Sequence, residues 1–198
     1  MEIERKYFVM DEFVPDLNRV PFYEIEQHYV SLNESGKVIL GERNSPVQDK
    51  SYFICVRDLE NPFIEIPKET YLELGGDKTV LANEEARIRK KGDTHTFTIK
   101  SKGTFLREER EVSICSEMYD CILPATKGRT VEKKRYEIPL ESGHVAELDV
   151  YCGKHEGLKI VEVEFETLDE CRSFVPPAWF GEEITEDFRF KNKNLATM

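Results

Sequence analysis

The feature that most constrains this chain is a charge alternation with the period of a β-strand. Short runs rich in Val, Ile, Phe, Tyr and Thr are cut by Gly, Pro, Asn and Asp, and within them every second residue is often charged. Side chains two apart share one face of a strand. Glu2, Glu4 and Lys6 therefore share a face opposite Ile3. Arg87 and Arg89 flank Ile88, Lys100 and Lys102 follow with Ile99 on the other side, and Arg107, Glu109 and Glu111 make a further row. Lys133 and Arg135 form a basic row, Glu147 and Asp149 flank Leu148, and Glu162, Glu164 and Glu166 alternate with Val161, Val163 and Phe165.

A solvated sheet face usually mixes signs, because opposite charges across strands attract and like charges directly opposite destabilise. Several faces here are of one sign, a repulsion that bound ions of the other sign would relieve. Acidic rows suit hard divalent cations such as Mg²⁺ or Mn²⁺, and basic rows suit phosphate oxygens. The two together describe a metal and polyphosphate site. With the stripes inward, many strands can close around the ligand as a barrel, their apolar outer faces covered by a few helices.

Strands are expected near 2–9, 22–32, 37–42, 85–90, 95–102, 107–114, 130–138, 144–151 and 159–165. Thr167 and Glu170 have the spacing of a capping box and open a short helix that ends before Pro176. Ser116 is read as the N-cap of a helix over 117–123 that Pro124 stops, and Thr185 or Asn194 as the start of helical turns. Residues 41–82, with Pro46, Pro62, Pro67 and Gly75-Gly76, read as an irregular excursion containing strands at 51–57 and 70–74. The fold class is thus mainly β (α+β), a closed antiparallel β-barrel with a few covering helices. At 198 residues one domain is expected over the whole chain.

The charged fraction of 34% is high for a globular chain, which the striped strands account for. A net charge of -11 argues against nucleic acid as a partner, since a basic surface supplies most of that affinity. It leaves room for an anionic small molecule in a locally basic cleft. The five cysteines show no C-x-x-C spacing and read as free thiols of a reducing cytosol. The first residues are charged, and nowhere is there a run of about 20 apolar residues. No membrane association is expected, and the location expected is cytoplasmic.

Glu2-Ile3-Glu4-Arg5-Lys6 resembles the N-terminal E-x-E-x-K signature of the CYTH superfamily, the triphosphate tunnel metalloenzymes. Gln27-His28-Tyr29, Arg87-Ile88-Arg89, Thr98-Ile99-Lys100-Ser101-Lys102, Arg107 with Glu109 and Glu111, and Lys133-Lys134-Arg135-Tyr136 fit the same family in order. Glu147-Leu148-Asp149-Val150, Glu162-Val163-Glu164-Phe165, Pro176-Pro177-Ala178-Trp179-Phe180-Gly181 and Asn192-Lys193-Asn194-Leu195-Ala196 are similar to its small bacterial branch, which includes inorganic triphosphatases. The excursion at 41–82 departs from that branch, whose members run almost directly into the R-x-R strand.

The resemblance implies a triphosphate tunnel and metal-dependent hydrolysis of inorganic triphosphate to diphosphate and phosphate. Thiamine triphosphatase and class IV adenylate cyclase are the alternatives on the same tunnel, and a non-catalytic polyphosphate-binding module is the alternative of another class. It implies Glu2, Glu4, Asp149, Glu162 and Glu164 as metal ligands or their close partners, joined by Glu147, with Glu109 and Glu111 as a pairing and metal-organising row. Lys6, Arg87, Arg89, Lys100, Lys102, Arg107, Lys133 and Arg135 are implied phosphate contacts, and Tyr29 with Lys100 a catalytic or specificity pair. The partner expected is inorganic triphosphate or another triphosphate-bearing small molecule, with a homodimer as the candidate assembly.

Overall fold

The computed structural model describes residues 3–32, 38–47, 49–57, 59–60, 62–80, 84–101 and 108–198. Three expected site residues, Glu2, Lys102 and Arg107, lie outside the described residues. The strands are β1 (Glu4–Val9), β2 (Phe22–Tyr29), β3 (Val38–Asn44), β4 (Lys50–Val56), β5 (Phe63–Ile66), β6 (Lys78–Val80) and β7 (Glu85–Lys91). They continue with β8 (Thr94–Lys100), β9 (Glu109–Ile114), β10 (Thr130–Pro139), β11 (Val145–Tyr151), β12 (Lys159–Glu164) and β13 (Phe180–Glu183). Short helices α1 (Lys68–Glu73), α2 (Ser116–Ile122), α3 (Leu168–Ser173) and α4 (Asn192–Leu195) are interspersed. The chain is mainly β, as the alternation predicts, and no helix among the described residues is long and apolar enough to cross a membrane.

The chain divides into two compact units, one of residues up to 26 and from 131 onward, the other of 27–101 and 108–130. In the first, β13, β1, β12, β11 and β10 are neighbours in that order, and the register is antiparallel throughout. One face of this sheet carries the charged rows. The other supplies Tyr7, Ala146, Leu148, Val161 and Val163 to an apolar core completed by Phe165, Cys171, Phe174, Trp179 and Phe180. Trp179 is buried there edge-on to Phe180, a packing residue as its place in a Pro-rich turn suggests. Helix α3 begins with the expected capping box: Glu170 N–H donates to Thr167 Oγ1 at 3.2 Å, and Glu170 Oε2 accepts from Thr167 N–H at 3.3 Å.

The second unit holds two antiparallel sheets, β7-β8-β9 and β5-β4-β3-β6. The end of β2 joins the former, with Val30 N–H donating to the Ala86 carbonyl at 2.9 Å. Ala86, Ile88, Phe97, Ile99 and Val112, the apolar reverse of the charged strands, form one buried cluster with Val38, Leu40, Ile54, Val56 and Val80 of the second sheet. The stretch read as an irregular excursion therefore supplies a full apolar layer behind Arg87, Arg89 and Lys100. A Cβ at Gly41 would meet the tip of the Phe53 ring at 2.8 Å, so any other residue there would make that ring shift.

The strand expected at 70–74 is helix. Tyr71 and Leu74 are buried while Leu72 is exposed, a spacing of three that suits one helix face and no strand face. Gly75 and Gly76 then end it at φ +103° and +72°, the left-handed region that glycine adopts without strain. Cys115, not Ser116, is the N-cap of α2, and its side chain makes no capping hydrogen bond. Of the two expected C-terminal turns, the region of Asn194 is helical as α4, whereas Thr185 begins none and instead accepts from Lys6 N–H at 3.0 Å.

Candidate active site

In the first unit the register sets Glu4 opposite Glu164, Lys6 opposite Glu162, Glu147 opposite both Glu162 and Glu137, and Arg135 opposite Asp149. All the described residues expected on this sheet thus share one face. Asp149 is fully buried and takes Arg135 in the two-pronged geometry that a guanidinium offers a carboxylate, Nε to Oδ1 and Nη2 to Oδ2, each at 2.6 Å. Lys133 donates to the same carboxylate, while Arg135 also reaches Glu147 and, at 3.0 Å, Glu162. Lys6 Nζ bridges Glu162 at 2.8 Å and Glu4 at 3.1 Å.

These contacts govern the protonation states. Burial alone would lower the Lys6 ammonium, but Glu162 and Glu4 more than offset it and hold it above its ordinary value. Burial would raise Glu162, yet Lys6, Arg135 and Lys133 keep it well below the usual carboxylate range. Glu147 goes the other way. Burial raises it, and the neighbouring Glu162 and Asp149 add to the rise against the pull of Arg135. Lys133 is pushed down to about 8 by burial and by Arg135, against the pull of Asp149 and Glu162.

That last shift yields a pH test. Between about 8 and the ordinary lysine value of 10.5 the folded protein binds fewer protons at Lys133 than the unfolded chain does, so this group's contribution to stability rises with pH across the window. The slope has a ceiling of about 1.4 kcal/mol per pH unit. Urea unfolding of the metal-free protein at pH 7.5, 8.5 and 9.5 should show wild type gaining on Lys133→Met as pH rises. A constant difference between the two proteins would contradict a depressed Lys133.

In the second unit the register stacks Glu85, Lys100 and Glu109 in one row and Arg87, Thr98 and Glu111 in the next, with Arg89 opposite Thr96. Lys100 and Arg87 are buried. Lys100 Nζ lies 2.6 Å from Glu109, which also accepts from Arg87 Nη2 at 3.2 Å. Glu111 accepts from Arg89 Nη2 at 2.6 Å and from the Thr98 hydroxyl at 2.7 Å. Burial lowers the Arg87 guanidinium, but Tyr29, Glu85, Glu109 and Glu111 outweigh it and raise it above its ordinary value. Its Nε is buried and has no hydrogen-bond partner among the described residues. Tyr29 and Lys100 are both buried in this unit, and the Tyr29 hydroxyl donates to Gln27 Oε1 at 3.3 Å.

Three residues of this face were given no site role from the sequence: Gln27 and Thr98, quoted only within their motifs, and Glu85. Each stands two positions before an identified residue, Tyr29, Arg87 or Lys100, so the period of a strand already placed it on the same face. His28, between Gln27 and Tyr29, is buried, its Nδ1 2.8 Å from Thr130 Oγ1.

The first unit's face suits a hard divalent cation in donor type and in charge. Glu4, Glu137, Glu147, Asp149, Glu162 and Glu164 stand against the three cations Lys6, Lys133 and Arg135. Glu147, raised first by burial, is raised further by Glu162 and Asp149. Among the described residues no three Asp, Glu, His or Cys side chains are already gathered around one point as a metal cage, and several of these oxygens are turned to the cations.

Comparison with known proteins adds the following. An inorganic triphosphatase of Nitrosomonas europaea is 47% identical over 112 residues, which are 57% of this chain and 74% of that protein. Another, from Acetivibrio thermocellus, is 33% identical over 130 residues, 65% of this chain and 78% of that one. A crystal structure of an inorganic triphosphatase aligns with a TM-score of 0.58 at 31% identity, covering 100% of this chain and 95% of the other. No protein-family model matches.

Proposed function

We propose, from the premise that this chain belongs to the inorganic triphosphatase family, that it hydrolyses inorganic triphosphate to diphosphate and phosphate on the charged faces described above. The observation that carries this reading is Arg87, a buried guanidinium with an unfilled donor beside buried Lys100 and the half-buried Arg89. A buried cation with an unused N–H is costly until an anionic oxygen arrives.

Arg87, Arg89 and Lys100 of the second unit orient the phosphate chain and offset the charge that grows on the departing diphosphate, and Lys6, Lys133 and Arg135 are the candidate phosphate contacts of the first. Glu109 and Glu111 hold three of these cations in place before substrate binds, so little reorganisation is needed as it arrives. Tyr29, whose hydroxyl donates to Gln27, serves with Lys100 as the catalytic or specificity pair. Glu4, Glu147, Asp149, Glu162 and Glu164, with Glu2, would hold Mg²⁺ or Mn²⁺. A bound divalent cation of that kind neutralises phosphate oxygens and makes a bound water more acidic. The closed antiparallel β-tunnel expected from the sequence belongs to this proposal.

The lining is ionic, so binding energy comes from the phosphates and a nucleoside adds little. With Mg²⁺ or Mn²⁺, phosphate release from triphosphate should show a kcat/KM at least ten times that for ATP or thiamine triphosphate, on the order of 1.4 kcal/mol of transition-state preference. Chelation with EDTA should abolish it and either metal restore it. Cyclic AMP as the main product from ATP would replace the hydrolase by a cyclase, and tight triphosphate binding without turnover would leave a binding module.

A further inference from the structure

Glu111 divides its two oxygens unequally. Oε1 accepts from Arg89 Nη2 at 2.6 Å, whereas Oε2 accepts from the Thr98 hydroxyl at 2.7 Å and stays 3.8 Å from Arg87 Nη2. Thr98 is fully buried between the two, directly across the strands from Arg87 on one side and Glu111 on the other. A distance of 3.8 Å is outside hydrogen-bond range, and a shift of about 1 Å would close it into a charge-assisted bond. The neutral hydroxyl thus occupies the oxygen that would otherwise capture Arg87. Arg87 keeps only one short contact, Nη2 to Glu109 at 3.2 Å; Nη1 is 3.8 Å from Glu85 and Nε has no partner among the described residues.

We propose that Thr98 is a positioning residue for triphosphate: by satisfying Glu111 with an uncharged donor, it keeps the Arg87 guanidinium from closing on that carboxylate and leaves its donors open to a phosphate oxygen. This rests on Arg87 being a phosphate contact, as proposed above. Valine has nearly the shape of threonine and the same preference for strand, but no donor. In Thr98→Val, Oε2 of Glu111 loses its partner on the buried side and turns to the nearest one, Arg87. Substrate must then displace a charge-assisted bond to bind, and the chemical step after binding is unaltered.

The test is steady-state kinetics on triphosphate with Thr98→Val, Thr98→Ser, Glu111→Gln, the double variant Thr98→Val/Glu111→Gln, and Arg87→Ala. Thr98→Val should raise KM about ten- to a hundred-fold, the range of one charge-assisted hydrogen bond, with kcat within about two-fold of wild type. Thr98→Ser keeps the donor and should return KM to the wild-type value. In the Glu111→Gln background Thr98→Val should add nothing, because the amide no longer draws Arg87 as an ion. An unchanged KM in Thr98→Val, an equal rise in both backgrounds, or a Thr98→Val protein without a cooperative melt would overturn the inference and leave Thr98 a packing residue. Arg87→Ala separates the two levels. If it leaves KM unchanged the phosphate-contact reading itself falls, and if it raises KM while Thr98→Val does not, only the role of Thr98 falls.

Discussion

Replacing residues 41–82 by a short turn should leave a chain that does not fold. The replacement removes Ile54, Val56, Ile66, Tyr71, Leu74 and Val80 from the second unit's core and uncovers Ala86, Ile88, Phe97, Ile99 and Val112 on the reverse of the charged strands. Truncating a single buried Leu or Ile to Ala costs about 2–5 kcal/mol. The loss of six such residues exceeds the whole stability of a typical domain, about 5–15 kcal/mol. The shortened protein should be insoluble, or show no cooperative transition by calorimetry or urea. A soluble product with a sharp melt and triphosphatase activity would mean that the β7-β8-β9 sheet does not depend on the layer behind it. Ile54→Ala is the graded version, with an expected loss of about 2–5 kcal/mol in urea unfolding.

Asp149→Asn should be the most damaging single substitution on the first unit's face. The carboxylate is fully buried and is shared by Lys133 and Arg135, so neutralising it leaves two buried cations with one fewer counter-charge. Removing one partner from a buried ion pair costs about 3–5 kcal/mol, most of it the penalty of the charge left behind. Arg135 would keep Glu147 and Glu162, whereas Lys133 has no second salt-bridge partner among the described residues. Urea titration at pH 7 should therefore show a loss of that size, with turnover falling at least a hundred-fold, or on the order of 2.7 kcal/mol of transition-state stabilisation, as the basic pair loses its orientation. Wild-type stability in Asp149→Asn would mean that water reaches this site and screens the charges.

Much of this was legible because a strand writes its faces into the sequence. Glu162, Val163 and Glu164 can only alternate, so their shared face was legible, whereas the register that brings Glu162 to Lys6 and Glu147 came from the structure. The capping box of α3 was equally local, since its donors and acceptors lie within four residues. The layer at 41–82 was harder to read. Its strands are short, its prolines and glycines resemble loop signals, and the partner that makes its apolar residues a core lies in strands β7 to β9, far along the chain. The helix at Lys68–Glu73 shows the same limit: Thr70 to Leu74 fits strand composition, and only burial of Tyr71 and Leu74 on one side distinguishes helix. Which oxygen of Glu111 meets which donor is set by side-chain rotamers and by a three-strand register, neither of which a linear pattern encodes.

The position of Glu109 and Glu111 has a consequence for dynamics. Both stand on β9, which among the described residues is the last strand of its sheet and pairs with β8. Terminal strands of this kind are where local opening is cheapest and amide exchange with solvent is fastest. The counter-ions of Arg87, Arg89 and Lys100 therefore ride on a terminal strand, while the cations themselves sit on β7 and β8 further inward. An opening of Glu109–Ile114 would take the carboxylates away from Arg87, Arg89 and Lys100 together, so deuterium uptake along that one strand should fall when a phosphate chain or added anion takes over those cations.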